Sequence, residues 1–407
     1  MSAEKSLNKR WLYLAAGVFA MLFSGVLYAW SILKVPFSAD YGWSTDVLSL
    51  NFTFTMCFFC LGAFFGSLIC KKTGPKIALL IASVLVGAGF VATGFLGKDN
   101  YYLLYITYAV LAGSGIGISY NVIVSTVCAW FPDKKGLCSG CLMMGFGVST
   151  LLLGNAISKM FEMPAFGTSK TYITLGVVIA AVLLFAAAVL RLPPQGTQFP
   201  APKAKKSARA ENFETKDYTT LQMIRTSSFQ RAFICMALMT AVGNSVISFA
   251  KDLVESVGAG ASLAVTLVGV LSICNGLGRI LTGAVYDALG RRTAMISANV
   301  LTVFAAGITL LAVYLHSLPV CIVGLCLTGL SYGSCPTVTS AFTASFYGRK
   351  HFSVNYSITN FNLIAASFIA TLSSTLLQRF GGYTAPFIML LALAFVALGL
   401  NFSIRKP

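Results

Sequence analysis

One arginine, Arg279, lies in the middle of a long apolar stretch that runs from residue 263 to residue 284. A guanidinium at the centre of a lipid bilayer costs about 2.5–3.5 kcal/mol on insertion scales, so water, protein or a ligand must compensate its charge. All 12 aspartates and glutamates are predicted in loops or at helix ends. We therefore expect the counter-ion of Arg279 to be an anionic substrate.

The residues around Arg279 fit an anion site. Gly276 and Gly278 leave room for a ligand or for a neighbouring backbone. Asp287 ends the apolar stretch about 12 Å further along the helix, which is too far for Arg279 to reach the membrane surface easily. Arginine binds a carboxylate through two parallel hydrogen bonds. Asn275, one turn earlier on the same face, could orient the guanidinium; the alternative for Arg279 is a structural bond to helix-end carbonyls.

The composition places these residues in a membrane protein. Hydrophobic residues make up 57% of the 407 residues and charged residues only 10%, and the mean hydropathy is +0.81. A soluble domain of this length is far less apolar. About 20 apolar residues are needed for one helical span. Runs of this kind recur at residues 11–36, 46–70, 76–97, 102–130, 136–158, 171–192, 228–250, 262–286, 294–315, 318–346, 352–379 and 383–403.

These twelve runs predict an all-α membrane protein with two six-helix halves. Residues 1–192 form the N-terminal half and residues 228–407 the C-terminal half. Residues 193–227 form a linker between them, rich in proline and lysine near its start, which is predicted to run along the cytoplasmic face.

The lysines and arginines are concentrated in alternate loops between the predicted spans, as expected for a membrane protein. If the N-terminus is cytoplasmic, 22 of the 29 lysines and arginines fall on the inside, six fall outside, and Arg279 is the last. This bias is the positive-inside rule, and it predicts a plasma (inner) membrane protein with both termini in the cytoplasm. It also explains the net charge of +17 without nucleic-acid binding.

The loops after the second and eighth spans share a pattern of two glycines around a basic turn. The first copy contains Gly66 and Gly74, and the second is formed by Gly283, Asp287, Gly290, Arg291 and Arg292. Two related halves around a central site are typical of secondary transporters. The pattern resembles the G-x-x-x-D-x-x-G-R-[KR] motif of the major facilitator superfamily, although Cys70 and Pro75 replace the usual aspartate and arginine in the first copy. The resemblance implies a role for these loops in gating.

Within that superfamily the chain resembles the oxalate:formate antiporters and their monocarboxylate-porter relatives. The matching stretches are 24–30 in span 1, 113–121 and 130–136 around the end of span 4, 275–279 in span 8, 331–336 in span 10 and 355–356 in span 11. The resemblance implies transport of a small carboxylate anion by alternating access.

One departure from the antiporters concerns the charge of the substrate. The oxalate carriers have a lysine in span 11 that provides a second cation, and the matching position here is Leu363. Neutral Thr359, Asn360 and Asn362 lie in the same region. We therefore expect a monocarboxylate of the lactate, pyruvate, acetate or formate class.

The resemblance also places three tyrosines, Tyr28, Tyr120 and Tyr332, around the central cavity. Core packing is the alternative for each of them. Asn121 is a weaker candidate for contact with the substrate. The candidates for the apolar walls that limit substrate size are Leu27, Leu142 and Phe146.

Proton symport is the favoured coupling by resemblance to the monocarboxylate porters, and one-for-one anion exchange is the alternative. A membrane sensor would need a signalling domain, which neither the tails nor the linker could form. His316 and His351 are remote in sequence from any pair of carboxylates, and the two CxxC pairs are predicted to pack helices. We expect a monomer that is not an enzyme and has no cofactor or metal.

Overall fold

The computed structural model describes residues 3–131, 135–194, 197, 199, 217–348 and 351–405. It divides into two compact units, unit 1 at Met1–Ala204 and unit 2 at Lys205–Pro407. All regular structure within the described residues is helical. An apolar helix satisfies its backbone hydrogen bonds internally, as a segment in lipid must.

The helices of unit 1 are mostly long and apolar. They are α1 (Ala3–Ser24), α2 (Trp30–Leu33), α3 (Val35–Ala39), α4 (Thr45–Thr73), α5 (Pro75–Gly94), α6 (Tyr101–Leu104), α7 (Ser114–Cys128), α8 (Lys135–Glu162) and α9 (Gly167–Val189). A 3₁₀ segment, Gly25–Ala29, joins α1 to α2, and a π-helix, Tyr105–Gly113, joins α6 to α7.

Unit 2 begins with a short helix and continues with long ones. They are α10 (Thr220–Arg225), α11 (Ser227–Ser256), α12 (Ala261–Tyr314), α13 (Leu318–Tyr347), α14 (Phe352–Asn360), α15 (Asn362–Phe380) and α16 (Thr384–Phe402). Helix α12 contains one non-helical residue, Gly290, with φ of 82°, and so supplies two membrane spans.

The described residues contain 12 helical segments that are long and apolar enough to cross a membrane. Spans 1–12 are Lys9–Ala39, Thr45–Thr73, Pro75–Gly94, Tyr101–Cys128, Gly140–Glu162, Gly167–Val189, Ser227–Ser256, Ala261–Tyr286, Ala288–Tyr314, Leu318–Tyr347, Val354–Phe380 and Thr384–Phe402. The prediction of a twelve-span all-α membrane protein is confirmed.

Two spans that were predicted as continuous helices are interrupted. Span 1 changes to a 3₁₀ helix at Gly25–Ala29, and a Cβ at Gly25 would overlap the Phe146 carbonyl oxygen of α8. Span 11 is divided at Phe361, between α14 and α15. Apolar composition does not reveal such changes, because both kinds of helix need the same lipid-compatible side chains.

Spans 8 and 10 are in direct backbone contact within unit 2. A Cβ at Gly278 would overlap the Leu330 carbonyl oxygen, and one at Gly333 would overlap the Asn275 carbonyl oxygen. Small residues allow this close approach between membrane helices. At Gly278, the space left by the missing side chain is therefore filled by a neighbouring backbone and not by a ligand.

The end of the predicted linker is folded. Helix α10 begins with a capping box between Thr219 and Gln222, and Met223 is fully buried. Asn355 in α14 donates from Nδ2 to the Tyr218 carbonyl at 3.0 Å. Residues 217–225 are therefore part of unit 2, because a capped helix with a buried methionine packs against it. Residues 200–216 of the linker, residues 132–134 of the predicted turn 130–136, and residues 349–350 lie outside the described residues.

Candidate substrate site

Arg279 lies in span 8 with its side chain directed into unit 2. It is only 6% exposed, and its Nε and Nη1 atoms are fully buried. Its neighbours Leu277, Ile280 and Leu281 are exposed and lie on the apolar outer surface. The helix thus presents leucine and isoleucine to the lipid while it holds the cation inside the protein, where a charged residue of a membrane span is normally found.

Residues of spans 10 and 11 lie near Arg279. Thr337 in span 10 donates from Oγ1 to the Arg279 carbonyl at 3.4 Å. In span 11, the Tyr356 hydroxyl forms a hydrogen bond with Asn360 and lies within electrostatic range of the guanidinium. Cys335 of span 10 is also within that range. By sequence, spans 8, 10 and 11 contain no aspartate or glutamate, and these residues of spans 10 and 11 carry hydroxyl, amide and thiol groups.

The interruption of span 11 lies among the residues predicted to contact substrate. Helix α14 ends at Asn360, and the N–H of Phe361 bonds to the Ile358 carbonyl at 3.1 Å, three residues back instead of four. Asn362 begins α15, and Leu363 is half-buried on its first turn. Asparagine competes with the backbone for hydrogen bonds, which favours a tight turn over a continuing helix. Irregular backbone in a membrane protein usually lines a site or cavity.

Tyr332 belongs to a buried polar chain that links three spans. Its hydroxyl donates to Asn244 Oδ1 of span 7 at 2.8 Å, and Asn244 Nδ2 donates to Ser367 Oγ of span 11 at 2.9 Å. Ser367 in turn donates to the Leu363 carbonyl at 2.7 Å. Tyr332 therefore has the polar partner that a buried tyrosine needs, and the chain fixes the backbone at Leu363.

The candidates in unit 1 form an aromatic cluster. The ring centroid of Phe146 lies 5.1 Å from that of Tyr28 and 5.3 Å from that of Tyr120, both nearly perpendicular. Phe59 of span 2 lies 5.4 Å from Tyr120. Edge-to-face pairs of this kind are a favourable aromatic geometry. Three residues predicted from different spans are thus brought together, and the 3₁₀ segment of span 1 carries Tyr28 to the cluster.

The two leucines predicted to form the apolar walls of the site are buried inside unit 1. Leu27 is 1% exposed and Leu142 is fully buried. A Cβ at Gly17 of α1 would lie 2.8 Å from Leu142 Cδ2, so Leu142 packs on that helix. Their contact with substrate stays a prediction.

Two of the predicted asparagines are also involved in packing against neighbouring spans, and their contact with substrate stays a prediction. Asn121 donates from Nδ2 to the Ala63 carbonyl of span 2 at 3.0 Å, so its amide joins two helices. Asn275 was expected to orient Arg279, but its Oδ1 atom is buried and accepts no hydrogen bond from any described residue. Its backbone is pressed against Gly333 of span 10, and this close packing restricts the residue.

The predicted loop motifs have matching turns. Gly74 and Gly290 have φ of 85° and 82°, a conformation that favours glycine. The glycines nearer the helices differ: a Cβ at Gly66 would lie 2.9 Å from Ile118 Cα, while Gly283 faces open space. In the second loop the Arg291 guanidinium lies 4.2 Å from the Phe346 ring centroid, and Arg292 is exposed. The backbone of Asp287 is helical, and its side chain is outside the described structure.

Comparison with known proteins identifies the family. The sequence model for the Major Facilitator Superfamily matches residues 12–361 and 232–407. The chain belongs to the major facilitator superfamily. The resemblance drawn from its motifs is confirmed.

Relatives of this major facilitator include an antiporter and a monocarboxylate transporter. The oxalate:formate antiporter of Oxalobacter formigenes is 27% identical over 97% of this chain and 91% of its own length. Monocarboxylate transporter 12 of Homo sapiens is 23% identical over 87% of this chain and 71% of its own length. The crystal structure of a D-xylose-proton symporter has the same fold, with a TM-score of 0.71 at 14% identity, and covers 97% of this chain and 98% of that one. The chain is a multi-pass membrane transporter.

Sequence reasoning missed several residues that this major facilitator places near its candidate site. Tyr356 and Asn360 are spaced i and i+4, which puts them on one face of α14. That spacing could have identified Tyr356. Asn244 and Ser367 could have been found as polar residues inside apolar spans, since such residues are costly in a membrane unless they are used.

Proposed function

We propose that this major facilitator is a secondary active transporter of small monocarboxylates, of the lactate, pyruvate, acetate or formate class. The observation that carries the proposal is the buried guanidinium of Arg279 within electrostatic range of Tyr356, whose hydroxyl forms a hydrogen bond with Asn360. An arginine fork matches one carboxylate through two hydrogen bonds. Similarity to an oxalate:formate antiporter and to monocarboxylate transporter 12 supports a carboxylate substrate.

The valence of the substrate follows from Leu363. A dicarboxylate in this site would place its second charge near an isobutyl side chain and neutral amides. An unpaired charge in such surroundings keeps a desolvation cost of several kcal/mol, and each 1.4 kcal/mol weakens binding about tenfold. Monocarboxylates should therefore bind more tightly than oxalate or succinate.

Competition for uptake tests this proposal. Proteoliposomes containing the purified protein are given a labelled monocarboxylate together with unlabelled formate, acetate, lactate, pyruvate, oxalate or succinate. The monoanions should compete best, and Leu363→Lys should shift the preference toward oxalate, because it supplies a second cation. Ile364→Lys, the same change one residue away, is the matched control. Stronger competition by oxalate than by every monocarboxylate in the unmodified protein would reject the proposal.

For coupling, we propose that a proton is carried with the monocarboxylate. Spans 8, 10 and 11 offer no carboxylate to carry it, so the substrate itself or tyrosine hydroxyls with water must do so. The alternative is anion exchange, in which the empty, positively charged site cannot reorient. Uptake driven by an inward proton gradient into vesicles without internal substrate is expected for symport, whereas accumulation only after preloading with a carboxylate would establish exchange.

The proposed cellular setting follows from charge. We propose a monomer in the plasma membrane. Both termini are placed in the cytoplasm because the basic residues are concentrated in the corresponding loops. A reporter fused near Lys205 should remain inside the cell.

A further inference from the structure

A second basic site lies at the edge of the membrane in unit 2, separate from Arg279. A cavity of about 430 Å³ is lined by Arg291, Arg292 and Arg405, together with Asn401. It lies where span 9 begins, at Ala288, and where span 12 ends, at Phe402. Three guanidinium groups around one cavity form a site for an anion, since their charges repel one another unless a counter-ion is bound.

Asn401 supplies an independent indication of a ligand. The residue is 8% exposed, and its Nδ2 atom is buried without an acceptor in the described part of the chain. A buried amide donor without a partner loses its hydrogen bond to water without compensation. Because Asn401 also lines the cavity, an anion bound there would accept this hydrogen bond in addition to those from the arginines.

The position of Arg405 is fixed by contacts of its backbone and its neighbours. Ser228 of α11 donates to the Arg405 carbonyl, and Arg231 donates from Nη1 to the Ser403 carbonyl at 3.0 Å. The segment after span 12 is therefore held against α11. The cavity is bounded by an ordered segment, which can hold the Arg405 guanidinium at its rim.

The apolar part of the lining identifies the source of the anion. Phe402 and Ile296 line the cavity beside the arginines, and Phe402 is 58% exposed at the end of a membrane span. A free anion would make no favourable contact with an exposed phenylalanine. A lipid has acyl chains directly below its headgroup, and these can pack against the phenylalanine ring. Basic pockets between membrane helices are a recognised binding mode for anionic headgroups.

We propose that this cavity binds the phosphate of an anionic phospholipid, with Arg292, Arg405 and Asn401 contacting the phosphate and Phe402 contacting the acyl chains. The site is independent of the carboxylate site at Arg279. Occupancy would hold the ends of spans 9 and 12 together and stabilise unit 2.

Thermal unfolding of the detergent-purified protein tests the proposal without any transport assay. Phosphatidylglycerol should raise the unfolding temperature, and phosphatidylcholine with the same acyl chains should raise it much less. Each of Arg405→Gln and Arg292→Gln should weaken the apparent affinity for phosphatidylglycerol about fivefold, from about 1 kcal/mol per arginine at a membrane surface. Asn401→Leu, which keeps a similar volume, should also weaken it.

Arg191→Gln is the matched control. Arg191 is an exposed arginine just after span 6, but its Nη1 already donates to the Ala187 and Leu190 carbonyls at 3.3 and 3.5 Å. This variant should keep the full response to phosphatidylglycerol. Equal protection by the two lipids, or a full response in all three site variants, would overturn the proposal. Inorganic phosphate should not protect at the concentrations at which the lipid does; protection by phosphate alone would show a free-anion site and reject the lipid.

Discussion

Replacing Arg279 by lysine keeps the positive charge and removes the planar fork, so it separates the two contributions of this residue. A guanidinium can donate two parallel hydrogen bonds to one carboxylate, while an ammonium acts as a compact point charge. The buried position of Arg279, at 6% exposure, means that water cannot easily replace the lost donor. Arg279→Ala removes the charge as well.

The expected magnitudes follow from these losses. A hydrogen bond to a charged group contributes about 1.5–3 kcal/mol, so Arg279→Lys should weaken the apparent affinity for the monocarboxylate about 10- to 150-fold. Arg279→Ala leaves the substrate carboxylate buried without a cation, which costs about 3–5 kcal/mol. This corresponds to a loss of about 10²- to 10⁴-fold, and transport should fall below detection. Expression should not fall, because the variant no longer inserts a charge into the membrane.

Initial rates of uptake into proteoliposomes over a range of formate, acetate, lactate and pyruvate concentrations measure these effects. Arg10→Lys is the matched control, because Arg10 is similarly buried at 8% exposure and its guanidinium lies 5.0 Å from the Phe131 ring centroid in unit 1. It should transport like the unmodified protein. Wild-type uptake by Arg279→Ala would refute the reasoning, and an equal loss in Arg10→Lys and Arg279→Lys would show a general effect of losing a buried guanidinium.

Two further predictions concern stability. Tyr332→Phe removes the hydroxyl that donates to Asn244 Oδ1 at 2.8 Å. The buried acceptor is then unsatisfied, which should lower the free energy of unfolding by about 1–3 kcal/mol and the thermal unfolding midpoint with it. An unchanged midpoint would mean that water replaces the hydroxyl. Gly278→Ala should lower the free energy of unfolding by about 1–3 kcal/mol, because the new Cβ would overlap the Leu330 carbonyl oxygen. Gly399→Ala is the control, since a Cβ there would meet no neighbouring atom within 4 Å, and it should unfold like the unmodified protein. Equal unfolding midpoints for the two variants would contradict this packing.

Much of the fold could be predicted from the sequence because lipid imposes a simple rule. An apolar run of sufficient length must be a helix, and twelve such runs were found with boundaries close to the observed ones. The second glycine of each loop motif was also predictable, since Gly74 and Gly290 adopt a backbone conformation that other residues avoid. These features depend on local chemistry, which a single sequence contains.

The contacts between helices could not be predicted in this way. Asn275 and Arg279 are four residues apart on one helix, and spacing alone suggested that the amide orients the guanidinium. The structure instead presses the Asn275 backbone against Gly333 and leaves Oδ1 without a donor among the described residues. Similarly, the amide of Asn121 joins span 4 to the backbone of span 2. Both outcomes depend on which helix lies opposite, which is information that helical periodicity does not contain.

The breaks in helical geometry depend both on the local sequence and on contacts between helices. In unit 1, span 1 becomes a 3₁₀ helix where it carries Leu27 and Tyr28, and in unit 2, span 11 is divided between Asn360 and Asn362. A continuous α-helix would satisfy the backbone better in lipid, so each break must be stabilised by its surroundings. At span 11, Ser367 binds the Leu363 carbonyl and is itself held by Asn244. The buried polar chain from Tyr332 through Asn244 to Ser367 therefore attaches α15 to spans 10 and 7 just after the break, while Tyr356, before the break, stays within electrostatic range of Arg279.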